Sequence, residues 1–497
     1  MHDNAESRSS ATAPVCLVWF RNDLRLTDNA ALVHAAQSGR RAVIGLFIDE
    51  TDTGARRLGA AARWWQQRSL RHLREALALH GVPLLFAHGD PRRIVPELAR
   101  EIDCRRGLAG VHWNRRYHAP LRAVDSDIKA SLTQNGFSAH SHPGYLLTEP
   151  WLVQTGSGTP YRVFTPFATS AQQMLADDPP RPLGVPDLMG ATADFAHPAL
   201  IDGPETDEPG WATTLAEHNS PGEEAAQQRF QSFLDGLAAG GGYKLGHDIP
   251  SADATSGLSP HLRFGEISPG YVWSETACFA EIHPAASADA WAFLRQLLWR
   301  DFAWHRLYHH SDLATTNVRG QFDAFPWGWS GNADPGSSIR AFAHPDMEPD
   351  ADARQHLAQL AQWQEGMTGV PLVDAGMREL WATGTMHNRV RMVAGSWLTK
   401  NLGIHWRHGE EWFWDTLVDA DYASNPFNWQ WVAGCGDDAA PYFRVFNPLT
   451  QEEKFDPHGV YVSQWVPERH TPLYPEPMVD VKESRKSALA AYDDIRS

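Results

Sequence analysis

The chain has 497 residues, 42% of them hydrophobic and 21% charged, with a formal net charge of −17. That length exceeds a single core and implies two or three domains, while the apolar content excludes wholesale disorder. The negative charge argues against general polyanion binding; a local basic patch stays open, because exposed charges are screened over about 8–10 Å at physiological salt.

Residues 1–13 are polar and Ser/Ala-rich without an apolar stretch, and read as a disordered tail, not a signal peptide. No later run reaches the roughly 18 apolar residues of a membrane span, so no membrane partner is expected. Cys16, Cys104, Cys278 and Cys435 lack paired metal spacing and fit free thiols in a reducing cytoplasm.

Residues 14–140 alternate between strand and helix signals. Val15-Cys16-Leu17-Val18-Trp19-Phe20, Val43-Ile44-Gly45-Leu46-Phe47-Ile48, Pro83-Leu84-Leu85-Phe86 and Gly110-Val111-His112-Trp113 are short apolar runs. Helix-like sequence, such as 60–79, falls between them. The alternation predicts a doubly wound parallel sheet, Rossmann-like, whose ligands sit beyond the carboxyl ends of the strands. No G-x-G-x-x-G follows the first strand and no G-x-x-x-x-G-K-[ST] occurs, which disfavours the usual dinucleotide and nucleoside-triphosphate sites. Trp19-Phe20-Arg21-Asn22-Asp23-Leu24-Arg25 sets two arginines and an aspartate at the end of the first strand. Such a set either serves a site or fastens a loop.

From 175 to 222 the chain is rich in Pro, Gly and Asp and reads as a long connection. Helical periodicity then dominates over 223–239, 289–309, 356–365, 377–381, 389–402 and 410–417, predicting an all-helical C-terminal domain with a surface excursion at 328–352. The expected layout is a tail (1–13), an α/β domain (14–140), a linker (141–222) and a helical domain (223–497).

Fourteen of the 21 tryptophans lie between Trp291 and Trp465, crowding around Asn425-Pro426-Phe427-Asn428-Trp429-Gln430-Trp431 and Ala440-Pro441-Tyr442-Phe443-Arg444. A core does not need so many, since Leu and Ile fill space without an indole N–H to satisfy. The crowd reads either as a Trp-rich core or as a site for flat ligands with an electron path. Four further segments offer ligand chemistry. Gly240-Gly241-Gly242-Tyr243-Lys244 with Thr255-Ser256-Gly257-Leu258-Ser259 allows close backbone approach and offers hydroxyls to an anion, or is a loop and a cap. Gln296, Trp299 and Arg300 share a helical face, as do Asn388, Arg391 and Met392 beside Arg389. Asp419-x-Asp421-x-x-x-Asn425 suits ribose hydroxyls or an arginine; with no histidine or third carboxylate near, no metal is expected.

These segments, in this order, resemble the photolyase/cryptochrome flavoprotein family over nearly the whole chain, from Trp19–Arg25 through Tyr161-Arg162-Val163-Phe164-Thr165-Pro166-Phe167 to Asn447-Pro448. The likeness is greatest to bacterial class I cyclobutane pyrimidine dimer photolyases. It implies an N-terminal α/β antenna domain, a long linker and a helical domain holding FAD. By that resemblance Tyr243, Thr255, Ser256, Leu258 and Ser259 hold the FAD phosphates. Arg300 and Arg391 belong to the flavin domain, and Asp419 and Asp421 line flavin and ribose. Asn425 faces the reactive flavin nitrogen. Trp299 and Trp431 wedge a flipped-out dimer, Asn388 and Met392 touch it, and Arg389 and Arg444 meet DNA phosphates. Trp429, Trp406 and Trp327 form the electron path, with Trp329 and Trp363 as alternatives to Trp327.

The resemblance has departures. Gln296 stands where such photolyases carry Glu; an amide can bond the base edge but has no carboxyl proton to give. That leaves room for a cryptochrome-type blue-light receptor or a (6-4) photolyase, although the latter carries histidine in the region of Asn388. Pro426-Phe427 after Asn425 is unusual. His118 replaces an antenna-binding Glu, so the antenna, folate or deazaflavin, stays open. Only about 50 residues follow Asn447-Pro448, which weighs against a signalling cryptochrome. The expectation is a monomeric cytoplasmic enzyme acting on UV-damaged DNA.

Overall fold

The computed structural model describes residues 14–496 except 38, 194–195, 205–208, 329–350 and 440–442, and the backbone alone of 351–353. Strands β1 (Val15–Phe20), β2 (Ala42–Glu50), β3 (Leu84–Gly89), β4 (Leu108–Asn114), β5 (Ala139–His142) and β6 (Leu200–Ile201) form one sheet in the order β5-β4-β1-β2-β3-β6. All pairings are parallel except β3–β6. Every residue of β1 is buried, as both faces of a parallel sheet require.

Helices α1 (Ala30–Ala36), α2 (Ala60–Leu79), α3 (Pro91–Arg106) and α4 (Ala119–Gln134) cover the sheet. Local signals set their starts: the Asn29 side chain accepts the Leu32 N–H, and Asp90 caps α3 ahead of Pro91.

The stretch read as an irregular connection holds more structure than its Pro and Gly content suggested. It ends α5 (Phe164–Asp177), supplies β6, and forms α6 (Thr213–His218). Ala87 and Phe86 of β3 pair antiparallel with Leu200 and Ile201.

The rest is helical: α7 (Glu223–Ala238), α8 (Tyr243–Gly246), α9 (Ser259–Phe264), α10 (Pro269–Ile282), α11 (Ser287–His309), α12 (Ala351–Gln364), α13 (Pro371–Thr383) and α14 (Asn388–Ser396). A π-helical turn (Trp397–Asn401) prolongs α14. Then come α15 (Trp406–Thr416), α16 (Ser424–Ala433), α17 (Pro448–Phe455), α18 (Val460–Trp465) and α19 (Val481–Asp494). Among the described residues no helix is long and apolar enough to cross a membrane.

The Arg21–Arg25 loop fastens these parts together. Arg25 is buried and donates to the carbonyls of Thr27 (3.0 Å), Gly144 (3.0 Å) and Gly265 (2.9 Å). Further ties are Trp65 Nε1 to Glu266 (3.0 Å), Glu223 to the Leu26 and Thr27 amides, and Arg56 to Glu410 (2.8 Å).

Candidate functional site

A cavity of about 480 Å³ opens among the helices. Ser256, Leu258 and Ser259 line it at the start of α9, and Gln296, Trp299 and Arg300 line it from α11. Asn388, Arg391 and Met392 contribute from α14, Phe413 from α15, and Asn425, Trp429 and Trp431 from α16. Asp419 and Asp421 reach it from the turn before α16. The i, i+3, i+4 spacings on α11 and α14 thus point at one space.

The polar rim is ordered by protein partners. Arg391 grips Asp419 with both terminal nitrogens (3.2 and 2.9 Å), and Ser259 donates to the same carboxylate at 2.7 Å. Asp421 instead closes the turn into α16, accepting the Ala423 and Ser424 amides at 2.8 and 2.5 Å. Arg300 donates to the carbonyls of Tyr145 (2.7 Å) and Leu262 (3.2 Å). Asn425 is buried and donates to the Glu410 carbonyl (2.9 Å) and carboxylate (2.8 Å). Glu410 was not singled out from the sequence, because one acid on an amphipathic helix looks like any solvated charge.

Arg229, also unforeseen, holds the loop before α9: Nε donates to the Ser256 carbonyl and a terminal nitrogen to that of Thr255, both at 2.9 Å. Gly257 sits at φ +64°, and a Cβ there would come 2.9 Å from Arg229 Nε, so this turn requires glycine. Thr255 itself is not among the lining residues. Neither is Tyr243, which is buried against Phe233 and Phe293 and stacks on His247 at 4.9 Å.

Trp429 lines the cavity, and Trp363, Trp406 and Trp327 are buried in the same core cluster. Trp429 stands edge-on to Phe413 (4.9 Å) and Trp363 (6.1 Å). Gly409 makes room for it, since a Cβ there would lie 2.0 Å from the indole. Trp406 donates to Asn317 at 2.8 Å and stacks on His405 (5.6 Å), which in turn meets Trp327 at 4.9 Å. Trp363 therefore neighbours Trp429, whereas Trp327 neighbours the Trp406 end through His405. Trp329 lies outside the described residues.

Two residues matched to DNA phosphates stand off the cavity. Arg389 is paired with Asp248 at 2.8 Å and lies over Phe455, so a phosphate would have to compete with that carboxylate. Arg444 is exposed, and its carbonyl accepts from Lys400, whose ammonium burial pulls to about 7.

A second groove of about 130 Å³ lies at the carboxyl ends of β1 and β2, lined by Arg21, Glu50, Arg56, Arg63, Arg116 and Tyr422. His118 stacks on Tyr422 at 4.4 Å and lines an adjoining recess of about 10 Å³. Burial, with Arg122 and Arg116 nearby, lowers the His118 pKa to about 4.

Residues 16–185 match the family model described as DNA photolyase, and residues 293–472 that described as the FAD binding domain of DNA photolyase. The deoxyribodipyrimidine photo-lyase of Agrobacterium fabrum is 41% identical, over 98% of this chain and 99% of that protein. The chain belongs to the DNA photolyase family. It is a DNA-repair flavoenzyme of that family, and FAD is its cofactor. Among solved photolyase-fold structures, a bacterial class III photolyase from Agrobacterium tumefaciens superposes with a TM-score of 0.84 at 40% identity, covering 99% of this chain and 100% of that one. A Synechocystis cryptochrome superposes at 0.79 with 27% identity, covering 96% and 99%.

The residues present fit a photolyase flavin. Serines and an arginine at the rim suit an anion, and Trp299, Phe413, Trp429 and Trp431 give the walls flat aromatic rings.

Proposed function

We propose that the cavity holds FAD with a cyclobutane pyrimidine dimer, flipped out of UV-damaged DNA, over it, and that blue light drives splitting of the dimer. The observation that carries this reading is continuity: the residues matched to flavin, Tyr243 and Thr255 apart, and those matched to the lesion line one space. Bound FAD would supply the light-driven one-electron chemistry for ring opening, with no net change of redox state. The protein supplies positioning and electrostatics. Trp299 and Trp431 present flat faces for the extruded bases, Asn388 and Gln296 present amides to their edges, and Met392 lines the same wall. Arg391 neutralises Asp419 at the flavin edge, and Glu410 fixes the Asn425 amide.

The test is blue-light incubation of the reduced holoenzyme with a thymine-dimer oligonucleotide. Monomers restored in light and not in darkness are expected; no light-dependent restoration would sink the reading. The (6-4) alternative is disfavoured by Asn388, and the same assay on a (6-4) lesion is expected to show no repair.

The 40% likeness to a class III photolyase supports that class over the class I assignment suggested by the motifs alone. A photoreceptor role is the second reading, favoured by Gln296 and the Synechocystis likeness. Flavin photoreduction without dimer repair would select it. The groove at the strand ends is the proposed antenna site, and an absorption spectrum of the purified protein separates folate from deazaflavin. A monomer working in the cytoplasm completes the proposal; sizing in solution tests the first.

A further inference from the structure

The segment Tyr161–Phe164 belongs to neither the sheet nor the helices that line the cavity, yet it contacts Trp299 and α11 on one side and Asp437, in the turn after the Trp431 helix, on the other. Phe164, buried at the start of α5, stacks on Trp299 with ring centroids 3.4 Å apart and planes 7° from parallel. The other ring neighbours of Trp299, Phe302 and Phe427, meet it at 70° and 50°. A torsion between an sp³ carbon and a flat ring has broad wells, so the tilt of an indole is set by what lies against it. Here that is the parallel face of Phe164.

The segment is itself clamped. The Tyr161 amide donates to His305 (3.1 Å), and its carbonyl accepts from Arg306 (3.2 Å), both on α11. Arg306 also donates to Asp437 at 2.6 Å, in the turn that follows Trp431 and α16. Arg162 of the same segment also pairs with Asp437 at 3.7 Å, and the neighbouring Asp438 is held at a positive φ of 58°.

We propose that Phe164 is a positioning residue for lesion recognition: it fixes the plane of Trp299, and through the Asp437–Asp438 turn its segment sets the spacing of Trp299 from the Trp431 helix. The proposal rests on the assignment of Trp299 to the dimer pocket. Phe164 touches no substrate; it makes one wall flat and stationary, so that a dimer stacks without first ordering the indole.

The experiment uses the full-length FAD-loaded protein and two oligonucleotides of one sequence, with and without a single thymine dimer. Phe164→Leu keeps apolar bulk and removes the flat face. It is expected to raise the Kd for damaged DNA about tenfold, the scale of a lost aromatic pair. Affinity for undamaged DNA and FAD absorbance are expected to stay as they were. Phe164→Tyr is expected to restore binding, and in a Trp299→Ala background Phe164→Leu is expected to add nothing. If Trp299→Ala weakens damaged-DNA binding while Phe164→Leu does not, the positioning role is overturned and the pocket assignment stands. If Trp299→Ala is without effect, the pocket assignment fails and the proposal with it. Equal loss on both oligonucleotides, or loss of FAD, would make Phe164 merely structural and overturn it.

Discussion

Trp431 stands half-buried on the cavity wall. Stacking of a base on an aromatic side chain contributes about 1–3 kcal/mol, so Trp431→Ala is expected to weaken binding of dimer-containing DNA by roughly 5- to 150-fold. FAD absorbance should be retained, since the flavin set lies on other residues. Fluorescence anisotropy measures the change, and unaltered affinity would take Trp431 out of the pocket. Trp406 is buried and bonded to Asn317, with no wall exposure of its own. Trp406→Phe is therefore expected to abolish flavin photoreduction while chemically reduced enzyme still repairs. Transient absorption reads the first and dimer reversal the second; photoreduction at the original rate would exclude Trp406 from the path.

Helix α14 supplies Asn388, Arg391 and Met392 to the cavity wall and α15 supplies Phe413, and each helix starts on a histidine. His387 Nδ1 accepts the Arg389 amide and His405 Nδ1 accepts the Arg407 amide, both at 3.2 Å. A protonated ring cannot accept. Burial lowers the His387 pKa to about 4 and that of His405 to about 3, against about 6.5 when unfolded. Below pH 6.5 the unfolded chain thus binds more protons than the folded one. The stability held above 6.5 is lost as pH falls toward 4 and then 3. Thermal unfolding is expected to show Tm dropping between pH 7 and 5. His387→Asn, which caps without titrating, should flatten part of that slope. These caps were invisible in the sequence because Ser, Thr, Asp and Asn are the signals one looks for. Strands β1 to β4 were legible from continuous apolar runs. β5 was not: Ala139-His140-Ser141-His142 is polar, and only pairing with β4 makes it a strand. The i, i+3, i+4 faces of α11 and α14 were readable as shared faces. Glu410, Arg229 and Phe164 escaped because each acts on a residue distant in sequence.

At the scale of the whole molecule, polar clamps join the sheet to the helices. Arg25→Met would leave the part-buried carbonyls of Thr27 and Gly144 and the buried carbonyl of Gly265 without their donor at once. A cost on the order of 3 kcal/mol or more is expected. Calorimetry should register a lower Tm with the FAD spectrum of the surviving fold unchanged; an unaltered Tm would show that water replaces the guanidinium. The Arg–Asp loop at the end of β1, ambiguous between site and fastener from sequence, acts at Arg25 as a fastener, while Arg21 reaches the groove. The β3–β6 pairing bears on how such a chain can be divided. Leu200 and Ile201 close the sheet's outer edge, and they arrive only after the N-terminal fold is otherwise finished. A fragment cut at residue 150 would leave the backbone groups of β3 open to other copies of itself. The N-terminal half is therefore no detachable cassette: a transplant into another protein must carry the chain through Ile201, or it will carry an adhesive seam.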